Sequence, residues 1–312
     1  MFEIRRYTAR LRDEWNLFVT RSKNGTFLFD RDYMDYHQQR FADFSLLFYL
    51  KDSLYAILPA NREGNILRSH AGLTYGGLVM DAQATAANTV RLFEELNAYL
   101  RTQGIEKVIY KCIPWVYHRM AAEEDLYAIF RTCRARLVAR DIGSVITRGS
   151  EQRWQRVRRR AVDRADKQGV VVRQSDDFAG FWEILTENLN AKYGVQPVHN
   201  LDEISLLHSR FPDHIKLYTA TVDGELLAGV VLYLTPQVAH AQYSSASAKG
   251  KQWGAIDKIY SQIIPETLAE YRYFDFGRST ENRGLYLNEN LIFQKEGYGA
   301  RGLCWDWYEW NV

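Results

Sequence analysis

The stretch YRYFDFGRSTENRGLYLNENLIFQKEGYGARG, Tyr271 to Gly302, decides how this chain is read. Its aromatic residues mark a short strand, Arg272–Phe276, that stops at Gly277. A polar loop with Arg278, Ser279, Glu281, Asn282 and Arg283 follows. A helical segment, Leu287–Gln294, then runs into the glycine-rich turn Lys295-Glu-Gly-Tyr-Gly299. In open α/β sheets, ligand-handling groups gather beyond the carboxyl ends of strands, and this loop is such a place. An ordinary strand–loop–helix with a glycine cap accounts for the same residues without any function. The functional reading is favoured because the chain holds the whole unit twice.

In the first half, helices at Leu11–Arg21 and Asp32–Arg40 precede strands Ser45–Leu50 and Leu54–Pro59, which are joined by the turn Lys51-Asp-Ser53. A third strand, Ile66–Ala71, leads into the loop Leu73–Leu78. An amphipathic helix follows at Ala84–Arg101, with Val90, Leu92, Phe93, Leu96 and Leu100 on its apolar face. Strand Lys107–Cys112 and helix Ala121–Arg131 close the unit. The second half repeats the order: helices Phe178–Lys192 and Asp202–Arg210, a hairpin of Lys216–Val222 and Leu226–Leu234 turning at Asp223-Gly224, and a third strand Val238–Ser245. The loop Ala246–Gly254, helix Ala255–Glu270, strand Arg272–Phe276 and helix Leu287–Gln294 complete it. The hairpin turns at Asp52 and Asp223 lie 171 positions apart, and six elements in one order at nearly constant spacing point to a duplication.

The expected fold class is therefore α/β, with mixed sheets and flanking helices, in two tandem domains at 1–150 and 151–312. The second opens with a linker helix, 151–168, holding seven basic residues against three acidic ones. That helix reads either as a solvated linker with Val157, Ala161 and Ala165 packed inward or as a grip on a polyanion such as tRNA. At 46% hydrophobic and 25% charged, the chain supports packed cores and argues against extensive disorder. A net charge of +2 provides no overall field for nucleic acid, so tRNA is possible but not favoured. Cys112, Cys133 and Cys304 have neither disulfide nor zinc spacing, and no metal is expected. The charged start, MFEIRRYTARLRDEW, lacks a signal peptide's apolar core, and no run approaches membrane-spanning length. A reducing cytoplasm is the expected compartment.

The order of elements resembles the GNAT acyltransferase fold, and its tandem form resembles the FemAB-like aminoacyltransferases and related bacterial N-acetyltransferases. Phe274-Asp-Phe-Gly-Arg-Ser279 is similar to that family's FDFG-type strand end, and Lys295–Gly299 to its Lys-x-Gly-Phe-Gly turn. Tyr75-Gly-Gly-Leu-Val-Met-Asp81 resembles the loop ahead of its long helix, with Gly77 where a proline is usual, and Pro114 resembles the proline closing the next strand. The single-domain GNAT phosphate motif is half present: Lys251-Gln-Trp-Gly254 fits, but Ile256 replaces the final small residue. The long coiled-coil arm of many Fem enzymes has no counterpart here.

The resemblance implies N-acyl transfer from acetyl-CoA, another acyl-CoA or a related donor to a small-molecule or peptide amine. The second domain would bind the donor, and the first would complete the acceptor side. Cofactor-binding expectations fall on Ser244, Ser245, Lys249, Gly250, Lys251, Gly254 and Ala255, a strand end and loop-to-helix junction where backbone N–H groups and a helix's positive end attract phosphates. Lys295, which would offset negative charge, Asp275, as amine anchor or base, and Tyr243, assisting proton transfer, are the catalytic candidates. Asp275 reads equally as a structural carboxylate paired with Arg278 or Lys295, and His240 as a lone structural histidine. Tyr75, Gly76, Arg278, Asn282, Tyr286 and Tyr298 are the substrate-binding candidates. A non-catalytic binding module and transfer from aminoacyl-tRNA onto peptidoglycan-type precursors are the alternative readings.

Overall fold

The computed structural model describes residues 1–150 and 153–312; Glu151 and Gln152, which open the expected linker helix, lie outside the described residues. The chain forms two compact units. One comprises Met1–Ile142, Thr280–Tyr286 and Cys304–Val312; the other comprises Gly143–Ser279 and Leu287–Leu303. The chain's end thus returns to the first unit, whereas a cut at 150/151 assigns it to the second.

The first unit contains β1 (Glu3–Arg6), α1 (Arg12–Arg21), α2 (Arg31–Met34), β2 (Ala42–Asp43), β3 (Leu46–Leu50), β4 (Ser53–Leu58), β5 (Asn61–Glu63) and β6 (Ile66–Arg68). It continues with β7 (Val79–Met80), α3 (Ala86–Thr102), β8 (Lys107–Lys111), α4 (Glu124–Cys133) and the first part of β9 (Arg136–Thr147). β3 and β4 form an antiparallel hairpin that turns where Lys51 and Asp52 both adopt positive φ, the twist that right-handed strands require. β6 pairs parallel with β8 across helix α3, as a β–α–β crossover demands. Thr85 caps α3 by accepting from the Asn88 N–H, and Val90, Leu92, Phe93, Leu96 and Leu100 bury its apolar stripe. The expected single helix Asp32–Arg40 is broken: α2 ends at Met34, and a 3-10 segment follows in which buried His37 takes non-helical angles.

The second unit starts in β9 at Gly143 and contains α5 (Arg156–Lys167), β10 (Val171–Ser175), α6 (Phe178–Tyr193), α7 (Leu201–Arg210), β11 (Ile215–Val222), β12 (Glu225–Leu234) and β13 (Val238–Ala246). Next come α8 (Ala248–Trp253), α9 (Ala255–Glu270), β14 (Tyr273–Arg278), the short β15 (Thr280–Glu281) and β16 (Tyr286–Leu287), α10 (Glu289–Gly297), and β17 (Arg301–Asn311), whose residues from Cys304 onward belong to the first unit. Its sheet runs β10–β11–β12–β13–β14–β9, antiparallel except for β13 and β14. The β11–β12 hairpin turns at Asp223 and Gly224, again with two positive φ values. Helix pair, hairpin, third strand, helix, strand and helix therefore recur in both units. The copies differ in their sheets. β1–β3–β4–β7 forms a sheet of its own in the first unit, whereas the second keeps all its long strands together.

Buried titratable groups make the first unit acid-sensitive. Burial holds His70 down to about 3 and His118 to about 4, so the unfolded chain takes up protons below about 6.5 that the folded chain refuses. Asp125 acts oppositely: burial pushes it up to about 7, and it offsets one of the two histidines between its unfolded and folded values. The net effect is about one proton. Stability should fall by about 1.4 kcal/mol per pH unit on acidification from pH 6.5 toward 4. Urea unfolding at stepped pH measures this, and His118→Gln should flatten the slope.

Candidate active site

The second unit's sheet divides where its one parallel pair ends. Val238, Ala239 and His240 pair with Tyr273, Phe274 and Asp275, and the pairing stops there. Two residues on, β13 carries a bulge: Ala241 faces Leu232 and Tyr243 faces Val231, leaving Gln242 without an opposite residue on β12. β13 continues along β12 to Ala246 and departs from β14, so the parted edge carries backbone groups with no strand partner. A cavity of about 900 Å³ fills the opening. Its walls are β13 at Ala241, Gln242 and Ser244–Ala246; α6 at Leu185, Asn188, Leu189 and Lys192; α8 and α9 at Gly250–Tyr260; and α10 at Leu291–Tyr298.

Two buried charges fix the end of β14. Asp275 is fully buried; it accepts from His240 Nδ1 at 2.9 Å and from the Gly277 N–H at 2.8 Å. His240 stands directly opposite it in the parallel register and pairs with it, and the carboxylate also acts electrostatically on Lys295. Lys295 reaches the same peptide from α10, donating to the carbonyls of Gly277 at 2.9 Å and Arg278 at 2.6 Å. It lines the cavity while buried, and burial lowers its ammonium pKa to about 8 against the pull of Asp275. The second unit thus carries, in the wall of the cavity, a lysine whose charged form is disfavoured by burial.

Tyr298, the residue that follows α10, stacks on Phe276 with centroids 5.5 Å apart, and its hydroxyl donates to Asp257 Oδ1 at 3.1 Å. Arg158 Nη1 donates to the same oxygen at 3.1 Å. Burial raises the Asp257 pKa while Arg158 opposes the rise. Among the described cavity residues Asp257 is the one acid, facing Arg158, Lys192, Lys251 and Lys295.

The structure brings Lys295, Tyr298, Ser244, Ser245, Gly250, Lys251 and Gly254 to one cavity. Ser244 hydrogen-bonds to Tyr260, Ser245 Oγ accepts from Asn188 Nδ2 at 2.9 Å, and Lys251 donates to Asn188. The other candidates lie elsewhere. Tyr243 turns toward α6 and α7: its hydroxyl bonds His199 Nδ1 at 2.5 Å, its ring meets Trp182 edge-on, and burial pushes its phenol up to about 12. The bulge at Gln242 sets Ala241 and Tyr243 opposite adjacent residues of β12, so the two face opposite sides of the sheet. Lys249 pairs with Glu225 and lies over Trp253, while Ala255 is in the core. Asp275 is behind the wall, and the Arg278 side chain is exposed. Tyr75, Gly76, Asn282 and Tyr286 belong to the first unit. Tyr75 is buried with its hydroxyl on Thr26, Gly76 packs against the Ser69 carbonyl, and Asn282 and Tyr286 are exposed.

The junction expected as a polar loop is helical. Ser247 caps α8 by accepting from the Gly250 N–H at 3.1 Å, and Gly254, at φ +82°, turns the chain into α9. A Cβ on Gly254 would collide with the Ala161 carbonyl, so α5 packs backbone to backbone on this junction. Gly254→Ala is expected to destabilise the second unit by about 2 kcal/mol or more, read as a lowered urea midpoint. Sequence reasoning missed Arg158, Asn188, Asp257 and Tyr260, each on an element that meets the cavity only in three dimensions.

Residues 150–283 match the model of the acetyltransferase (GNAT) domain family. Among solved structures, FemX aligns with a TM-score of 0.69 at 10% identity, covering 99% of this chain and 97% of that one. L-PGS from Bacillus licheniformis aligns at 0.60 and 13% identity, covering 96% and 91%. A tandem GNAT protein from the clavulanic acid biosynthesis pathway aligns at 0.53 and 12% identity, covering 100% and 98%. No curated protein sequence matches significantly. Residues 150–283 thus carry the likeness to the GNAT acetyltransferase domain, and the chain shares the fold of these tandem-domain structures over nearly its whole length. GNAT domains in general use acyl-CoA donors. Among the described residues no cluster suits a metal ion, and no helix is long and apolar enough to cross a membrane.

Proposed function

We propose that this protein moves an acyl group from a phosphate-bearing donor, an acyl-CoA in the first instance, to an amine acceptor. The second unit binds the donor, and the first serves the acceptor. The observation that carries the reading is the parting of β13 from β14 after three residue pairs, which exposes a polar strand edge inside a cavity of about 900 Å³. An extended, amide-containing arm can add to that edge as a further strand would. Its acyl carbonyl then lies among polar groups, with Lys295 supplying positive charge in a low-dielectric wall. The neutral amine nitrogen forms the new C–N bond as the thioester C–S bond breaks, the C–S electron pair leaves with sulfur, and the proton lost by the amine ends on that thiolate, which departs as the free thiol. Transfer from aminoacyl-tRNA is the second reading, favoured by the arginines of α5.

Thermal-shift measurements with acetyl-CoA, longer acyl-CoAs and aminoacyl-tRNA test the donor class. One class should raise the melting temperature by several degrees, because ligand that binds only the folded state stabilises it by mass action. No response to any donor rejects the reading.

Lys295→Met should fold but lose the donor-induced rise, and in the unaltered protein donor binding should weaken as pH climbs through about 8. The same residue affects stability. Its folded pKa lies below its ordinary 10.5, so the unfolded chain holds more protons between about 8 and 10.5, and stability rises with pH across that window. Denaturant titration at pH 8 and 10 should show the rise in the parent protein and lose it in Lys295→Met.

A further inference from the structure

We propose that the phosphates of the substrate are gripped by arginine side chains of the basic helix α5, and not by backbone amides at the α8–α9 junction. A cleft of about 460 Å³ adjoins the cavity and shares Arg158, Lys251 and Asp257 with it. Arg156, Arg160 and Arg164 line the remainder, and none of the three pairs with an acid among the described residues. Three turns of one helix therefore present unneutralised guanidinium groups to one concave surface. Arg158 links the two spaces. Its Nη1 is committed to Asp257, while its Nε is buried without an acceptor. A buried N–H donor lacking a partner costs free energy that an incoming oxyanion would recover. Asp257 does not spoil the site for an anion, because Arg158 and Tyr298 both donate to it.

The junction amides are poorly placed for the task. The Gly250 N–H is taken by Ser247 Oγ, the Lys251 N–H by the Ser247 carbonyl and the Gly254 N–H by the Gly250 carbonyl. Side-chain space is closed too: a Cβ on Gly250 would meet the Leu227 carbonyl, and one on Gly254 would meet that of Ala161. At Gly254, where α9 begins, the Ala161 carbonyl of α5 stands against the backbone, and the helix that packs there carries the charge. Ile256 at the position of the usual small residue fits this arrangement. The site stands on the cleft alone; calling its ligand the acyl donor rests on the proposed function.

Calorimetric titration of the full chain with inorganic pyrophosphate at two salt concentrations tests the inference. Arg160→Ala/Arg164→Ala, both exposed positions, should weaken binding about tenfold or more and flatten its salt dependence, with an unchanged melting temperature. Arg158→Lys, which keeps the charge but removes the planar fork, should also weaken it. Equal pyrophosphate affinity in the double variant and the parent overturns the assignment. Displacement of pyrophosphate by adenosine 3′,5′-bisphosphate assigns the cleft to a nucleotide carrier, and displacement by a short RNA hairpin assigns it to nucleic acid. Displacement by neither also overturns it. Should every donor fail to support acyl transfer while pyrophosphate still binds through these arginines, only the proposed function falls.

Discussion

Everything at the candidate site depends on how the end of β14 is held. Strands β13 and β14 share three parallel residue pairs and then part, and an unpaired strand end is normally free to fray or to re-pair. Here the peptide at Gly277 is clamped from both sides: Asp275 takes its N–H, and Lys295 donates to its carbonyl. His240, on the neighbouring strand, donates to Asp275 at the last paired position. A fully buried carboxylate without partners would cost several kcal/mol, so the clamp and the pair are mutually required. The opening stays open because both strand ends are committed elsewhere.

The charges in this unit divide by burial into two kinds. Lys249 and Glu225 form a pair at the surface, where such contacts contribute about 0–1 kcal/mol and are screened by salt. Asp275, Asp257 and Lys295 lie out of water, where desolvation outweighs single Coulombic contacts and moves Lys295 and Asp257 toward their neutral forms. Buried charge of this sort is poor stabilising material. It persists where position matters more than energy, and in this unit it lies in and behind the wall of the cavity.

The pairing of buried groups also separates the two copies of the plan. Both units repeat the hairpin with two positive-φ turn residues and the parallel crossover through a long helix. In the first unit, Tyr75 and Gly76 serve packing, with rings and backbone filling the corresponding loop. In the second, the space is left to a cavity walled by four cationic side chains and one acid. The repeated plan thus has its hydrogen-bonded frame in both halves, and the second carries the polar cavity of about 900 Å³.

Local pattern determined the elements. Alternation and turn residues located both hairpins, helical spacing located α3 and α9, and the strand end at Phe274–Arg278 marked the right end of the sheet. Those signals act between residues near in sequence, where 2.0 and 3.6 periodicities and positive-φ turns are written directly. β9 and β17 went unread because their apolar residues are interrupted by charge and are buried by partners distant in sequence. The site was legible as a region but not as a set of side chains. A bulge at Gln242, invisible to any alternation rule, turned Tyr243 away, and the parallel register alone set His240 against Asp275. Arg158 and Asp257, 99 positions apart, meet only because α5 lies across α9. Sequence fixes which groups exist and how each short segment bends; which of them face one another follows from packing, since burial and register act between segments that the chain order does not bring together.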